Sequence, residues 1–170
     1  CIAYETITGP GQTLPLLAPM SEVAGRMAIQ VGATCLEKSH GGMGLLLGGV
    51  PGVPAAQVTV LGAGTVGAHA VQMAVGLGAR VTVLNRGIDK LRALDQRYGN
   101  CIHTLLASAQ HIEQAVLDAD LVIGSALVAG TASFGNAVSG DALGTASVAI
   151  DTSGRTSSSG HLKAGSYTGI

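Results

Sequence analysis

Between Gln57 and Arg86 the chain reads QVTVLGAGTVGAHAVQMAVGLGARVTVLNR, and no other stretch restricts the possible folds as strongly. An apolar run of Val58, Val60 and Leu61 stops at Gly62, where a glycine-rich turn begins. Val66, Ala70, Met73, Ala74 and Leu77 then recur at helical spacing, and Gly76-Leu77-Gly78-Ala79 closes that helix before a second apolar run, Val81 to Leu84. Strand, glycine turn, helix and strand in that order describe a βαβ unit. Within it, Gly62-Ala63-Gly64-Thr65-Val66-Gly67 fits G-x-G-x-x-G, the spacing of a dinucleotide-binding turn. Gly62 lets the chain leave the strand sharply, Gly64 removes the side chain that would hold a pyrophosphate off the backbone, and Gly67 lets the helix lie close to the sheet. Phosphates then meet free N–H groups at a helix N-terminus.

A chain with 26 glycines reaches this spacing easily by chance, so the weight rests on the flanking strands and helix. The competing reading of the same residues is a glycine-tolerant packing turn with no ligand. The rest of the composition narrows the alternatives. At 170 residues and 47% hydrophobic content the chain can bury a core of ordinary domain size. A net charge of −1 offers no basic face for nucleic acid. Glycines and polar residues interrupt every apolar run before the roughly 20 residues of a membrane helix, so a soluble chain is expected. Cys1, Cys35 and Cys101 form no C-x-x-C pair and read as small, buried or half-buried side chains. The five histidines show no ligand spacing either, and no metal is expected. Nor does a nucleophile elbow, a P-loop lysine motif or a carboxylate pair stand out.

Cys1 to Thr8 alternates loosely, as a short strand would, and its opening on Cys1 reads as the middle of a longer chain. A turn at Gly9-Pro10-Gly11 leads to a proline-bounded stretch ending at Pro19. Ser21 then reads as the N-cap of a helix running to about Glu37, with Val23, Met27, Val31 and Leu36 as its apolar stripe. Gly48-Gly49-Val50-Pro51-Gly52-Val53-Pro54 is a loop entering the first strand of the βαβ unit. Beyond Arg86 the pattern predicts a helix from Ile88 to Tyr98 with Leu91 and Leu94 inward and a strand from Cys101 to Leu105. A helix from His111 to Leu117 and a strand from Leu121 to Gly124 complete it. Alternating strands and helices argue for an α/β fold with a doubly wound parallel sheet and a ligand at the carboxyl ends of its strands. After about Gly130, Gly, Ser, Thr and Ala dominate, and only Ser147 to Ile150 looks like a further strand. The expected organisation is a lead-in or end of another domain over 1–19, a Rossmann dinucleotide-binding domain over 20–151, and a poorly ordered or truncated tail over 152–170.

PLLAPMSEVAGRMAIQVGATCLEK, GGMGLLLGGVPGVPAAQVTVLGAGTVG, GIDKLRALD and ADLVIGSALVAG together resemble the NAD-binding half of alanine dehydrogenase, over roughly residues 1 to 130. LLLGGVPGVP before the strand is the most specific of these segments. The resemblance implies a cytoplasmic, usually hexameric enzyme of amino-acid catabolism that oxidises L-alanine to pyruvate and ammonium while reducing NAD. It also implies site residues. Ser21 would contact the cofactor, Gly64, Thr65 and Val66 would line the pyrophosphate turn, Lys90 would lie near the adenosine, and Ala126 and Leu127 by the nicotinamide. The bland alternatives are a helix cap for Ser21 and a solvated charge for Lys90. The arginine, lysine and histidine that such enzymes use on the substrate belong to a domain ahead of these segments. One catalytic aspartate is matched here by Asp151 in SVAID, which reads equally as a turn or cap residue.

Two departures bear on function. Where the family usually places an acidic residue for the ribose hydroxyls, this chain has Asn85 followed by Arg86. A carboxylate there repels a 2′-phosphate and asparagine does not; the neighbouring guanidinium reads either as a partner for such a phosphate or, the commoner fate of a surface arginine, as a side chain pointing into solvent, so NADP stands open beside NAD. The tail, lacking an amphipathic helix after Gly130, weakens the match at Asp151. Rival functions are a non-catalytic NAD(P)-binding module, which predicts no substrate domain upstream, and a transhydrogenase-type subunit, which predicts membrane-associated partners and no amino-acid requirement.

Overall fold

The computed structural model describes residues 7–125 and 148–151. Its centre is a sheet with strand order β3-β2-β1-β4-β5, in which β1 is Gln57–Leu61, β2 Arg80–Asn85, β3 Ile102–Leu106, β4 Leu121–Gly124 and β5 Val148–Asp151. The first four strands are parallel, with Leu61 opposite both Leu84 and Gly124. Strands buried on both faces need apolar residues throughout, and Val58, Val60, Val81, Val83, Leu121 and Ile123 are buried accordingly. Asp120 Oδ2 accepts from the Gln57 N–H at 2.8 Å, which ties the start of β1 to the start of β4.

Among the described residues four α-helices cover the sheet: α1 (Ala18–Leu36), α2 (Thr65–Gly76), α3 (Ile88–Tyr98) and α4 (Ala109–Leu117). Side chains alternate across β1. Val58 and Val60 join the main core with residues of α1, α2 and α3. Thr59 and Leu61 face the other way, where the Thr59 hydroxyl donates to the Ala115 carbonyl of α4 at 3.0 Å and Leu61 packs beside Val116 and Val122. The expected helix Ile88 to Tyr98, with Leu91 and Leu94 buried, and the expected strand Leu121 to Gly124 are both present. The other described strands and α4 shift by one or two residues; α4 starts at Ala109 because the Ser108 hydroxyl caps it, accepting from the His111 N–H at 3.1 Å.

Three local expectations are corrected. Ser21 is not an N-cap: α1 begins at Ala18, with Leu17 at the cap and Pro19 in the first turn, where a missing N–H is harmless and the fixed φ suits a helix. The Ser21 N–H therefore donates inside the helix, to the Leu17 carbonyl at 2.9 Å. The stripe is also different. Val23 and Met27 are 56% and 45% exposed, and the buried face is made of Ser21, Ala24, Gly25, Ala28, Ile29, Gly32 and Leu36. Small residues win that face because α1 lies close against α2, and a Cβ on Gly25 would run into the Val66 carbonyl. On α2, Leu77 is the exposed cap residue and Val71 takes a core position.

The fifth strand departs from the all-parallel expectation, because β5 runs antiparallel to β4, with Gly124 opposite Val148 and Leu121 opposite Asp151. Cys101 is exposed rather than buried, and Cys35 is half-buried. Among the described residues no helix is long and apolar enough to cross a membrane, and no three His, Cys, Asp or Glu side chains gather as metal ligands. The readings for 1–6, 126–147 and 152–170, including Cys1, Ala126, Leu127 and the tail, lie outside the described residues.

Candidate dinucleotide site

The strand order reverses between β1 and β4: the chain moves from β1 outward through β2 and β3, then returns to the other side of β1. A crevice at the carboxyl ends of such strands is where open α/β sheets hold their ligands. Gly62-Ala63-Gly64 leaves β1 at that point, and three neighbours hold it in place. The Gly62 N–H donates to the Leu84 carbonyl at 2.7 Å. The Ala63 N–H donates to Asn85 Oδ1 at 3.1 Å. From the other side, the Ser125 hydroxyl reaches both the Leu61 and Gly62 carbonyls at 3.0 Å, while its own N–H donates to the Leu61 carbonyl at 2.8 Å.

The three motif glycines are required for different reasons. Gly62 has φ +111°, a backbone conformation that L side chains rarely adopt. A Cβ on Gly67 would collide with the Gly62 carbonyl and come within 2.8 Å of Ser125 Oγ, so this glycine permits the close approach of α2 to the turn. Gly64 is unlike either. Its φ of −77° and ψ of −165° are open to any residue, and among the described residues a Cβ there would meet nothing within 4 Å. No described residue demands glycine at 64, and without a side chain there a pyrophosphate would lie against the backbone. No side chain caps α2. Its first intrahelical bond runs from the Ala68 N–H to the Gly64 carbonyl at 2.9 Å, which leaves the Thr65 and Val66 N–H groups without helical acceptors. Residues and backbone thus fit a pyrophosphate-bearing group.

Of the residues expected at the site, Gly62, Gly64, Thr65, Val66, Gly67 and Asn85 converge on this turn. Arg86 follows directly at the exposed end of β2, and Lys90 is exposed on the first turn of α3. Ser21 is buried on the same face of α1 as Gly25, the residue that abuts Val66. Asp151 is not brought to the turn: through the antiparallel register it sits opposite Leu121, at the amino-terminal edge of the parallel strands. Ser125 is a positioning residue that the sequence reading passed over. Its signal is its place, one residue beyond the strand that neighbours β1.

Strand order, switch-point crevice and glycine turn define the class, a Rossmann-type nucleotide domain. The chain belongs to the alanine dehydrogenase/PNT family, whose C-terminal domain it matches over residues 28–151. It is 58% identical over 132 residues to an alanine dehydrogenase of Halomonas elongata, covering 78% of this chain and 36% of that protein. To an alanine dehydrogenase of Mycobacterium tuberculosis it is 59% identical over 129 residues, 76% of this chain and 35% of that one. It therefore spans about a third of the length of the curated relatives it matches. Among solved structures it resembles an L-alanine dehydrogenase, with TM-score 0.74 and 48% identity over 78% of this chain and 37% of that one. A transhydrogenase from Sinorhizobium meliloti is similar at TM-score 0.50 and 25% identity, over 69% of this chain and 33% of the other. A Rossmann-type domain in a dehydrogenase family implies a nicotinamide dinucleotide as its cofactor.

Proposed function

We propose that this chain is the NAD-binding part of an L-alanine dehydrogenase, which converts L-alanine, oxidised NAD and water to pyruvate, ammonium, NADH and a proton. The observation that carries the binding role is Gly64, a glycine that neither its own backbone angles nor any described neighbour requires. The names of the relatives favour alanine as the substrate, and the solved alanine dehydrogenase is the better match of the two structures, in fold and in identity, which favours it over transhydrogenation. When bound, a nicotinamide ring supplies the hydride acceptor. The chain's own residues do the holding. Thr65 and Val66 offer backbone N–H groups to the pyrophosphate, Ser21 closes on the cofactor from α1, and Asn85, Arg86 and Lys90 border the adenosine. For Ala126 and Leu127 a nicotinamide role rests on the resemblance alone. A cation for the substrate carboxylate and an acid/base group are also needed, and in this reading they come from the rest of the enzyme. Asp151 has no part in it, given its edge of the sheet. The whole enzyme is a cytoplasmic homo-oligomer, a hexamer, and the exposed Val23, Met27, Leu46, Val50 and Val53 provide apolar surface for such contacts.

Titration of the chain with NADH, followed by nicotinamide fluorescence, tests the binding role in wild type and in Gly64→Ala. Saturable binding is expected in the wild type and at least tenfold weaker binding in the variant. Unfolding by urea should change by less than about 1 kcal/mol, because a poorer N-cap and a stiffer unfolded chain act in opposite directions. A wild-type chain that does not bind NADH, or a variant that binds it equally, rules the proposal out.

A further inference from the structure

Asn85 occupies the position from which a carboxylate selects NAD by bonding the ribose hydroxyls and repelling a 2′-phosphate. Its side chain is already engaged at both ends. Oδ1 accepts from the Ala63 N–H at 3.1 Å and Nδ2 donates to the Gly87 carbonyl at 2.8 Å, so the amide braces the glycine turn against the loop that enters α3. It carries no charge to turn a phosphate away. Arg86, the next residue, is exposed and has no hydrogen bond or ion pair among the described residues. A guanidinium matches a phosphate dianion with two parallel N–H donors, whereas ribose hydroxyls gain far less from it. From Arg86 into the first turns of α3 the chain carries Arg86, Lys90 and Arg92 against Asp89, which Arg92 pairs at 3.4 Å. The balance is positive.

We propose that the corner formed by Asn85 and Arg86 is a 2′-phosphate subsite, so that the chain takes NADP(H) as well as NAD(H), with Asn85 as the positioning residue and Arg86 as the phosphate ligand. The inference rests on the glycine turn holding a dinucleotide, and its test separates the two. The chain is titrated with NADH and with NADPH at one fixed ionic strength, together with Arg86→Ala and Asn85→Asp. NADPH is expected to bind within about tenfold of NADH, and its affinity to fall more steeply as salt is raised. Loss of a charged hydrogen bond is worth about tenfold to a hundredfold, so Arg86→Ala should move the NADPH-to-NADH affinity ratio by that amount toward NADH. Asn85→Asp should move it the same way by repulsion. NADH binding with NADPH more than about a hundredfold weaker overturns the 2′-phosphate subsite alone, as does a ratio that Arg86→Ala leaves unchanged. Failure of both nucleotides to bind overturns the dinucleotide site and this subsite with it.

Discussion

Gly67 and Ser125 meet where β1 passes into α2, and single substitutions there test how the turn is held. Alanine at Gly67 must displace the Gly62 carbonyl, a backbone group with no rotamer to escape into. Gly67→Ala is therefore expected to cost about 1–3 kcal/mol, read as a lower urea midpoint, in contrast to Gly64→Ala. Ser125→Ala removes the hydroxyl shared by the Leu61 and Gly62 carbonyls but keeps the backbone bond from the Ser125 N–H. A loss of about 1 kcal/mol is expected, and NADH affinity should fall with it as the turn loosens; unchanged stability in chemical denaturation would show that the hydroxyl is not bearing on the turn. Much at this scale is legible in the sequence, because glycine spacing reports directly on backbone demands. Asn85 shows where legibility stops. Its position after the second strand is plain, but its bond to Ala63 depends on the register that sets Leu61 against Leu84, which brings the next residue of β2 level with the turn.

The α1 and α2 helices make the element whose packing the sequence hides best. Periodicity locates α1 but selects the wrong face, since large apolar side chains are taken to mark the core. In a close helix pair the contact belongs instead to the smallest residues, and Gly25 and Gly32 sit inward while Val23 and Met27 stay outside. The two glycines face different obstacles. A methyl at Gly25 meets the Val66 carbonyl and His69 Cβ at 2.9 Å, whereas one at Gly32 meets the end of the Leu121 side chain, 2.6 Å away at Cδ2. Backbone yields less than a leucine tip. Gly25→Ala should cost about 1–3 kcal/mol and Gly32→Ala less, an order that thermal unfolding of both variants would check. Gly25→Ala should also disturb the α1–α2 clasp in which Arg26 Nε donates to His69 Nδ1 at 3.2 Å. The direction of β5 was illegible for another reason: an apolar run such as Val148-Ala149-Ile150 predicts a strand and says nothing about its orientation.

Across the whole molecule, the β3-β2-β1-β4 arrangement is what the alternating pattern of strands and helices implies, and it follows from local signals acting together. Its consequence is that the proposed ligand touches the junction of several elements at once. The turn after β1 is bonded to the end of β2 through Leu84 and Asn85 and to the end of β4 through Ser125, and α1 closes on α2 at Val66. A dinucleotide seated there binds only the folded arrangement of these parts, so its binding energy adds to the stability of the domain. At a concentration a hundred times its dissociation constant the gain is about 2.7 kcal/mol. For a chain of this size that raises the melting temperature by about 5–10 °C. In scanning calorimetry the wild type should show this shift with NADH, whereas Gly64→Ala should melt near the wild-type temperature without nucleotide and gain little from its addition. Should Gly64→Ala instead be stabilised as much as the wild type, the backbone at residue 64 is not where the nucleotide sits. If it unfolds much earlier without nucleotide, Gly64 serves the fold after all, and the separation between the glycine the ligand needs and the two the backbone needs is wrong.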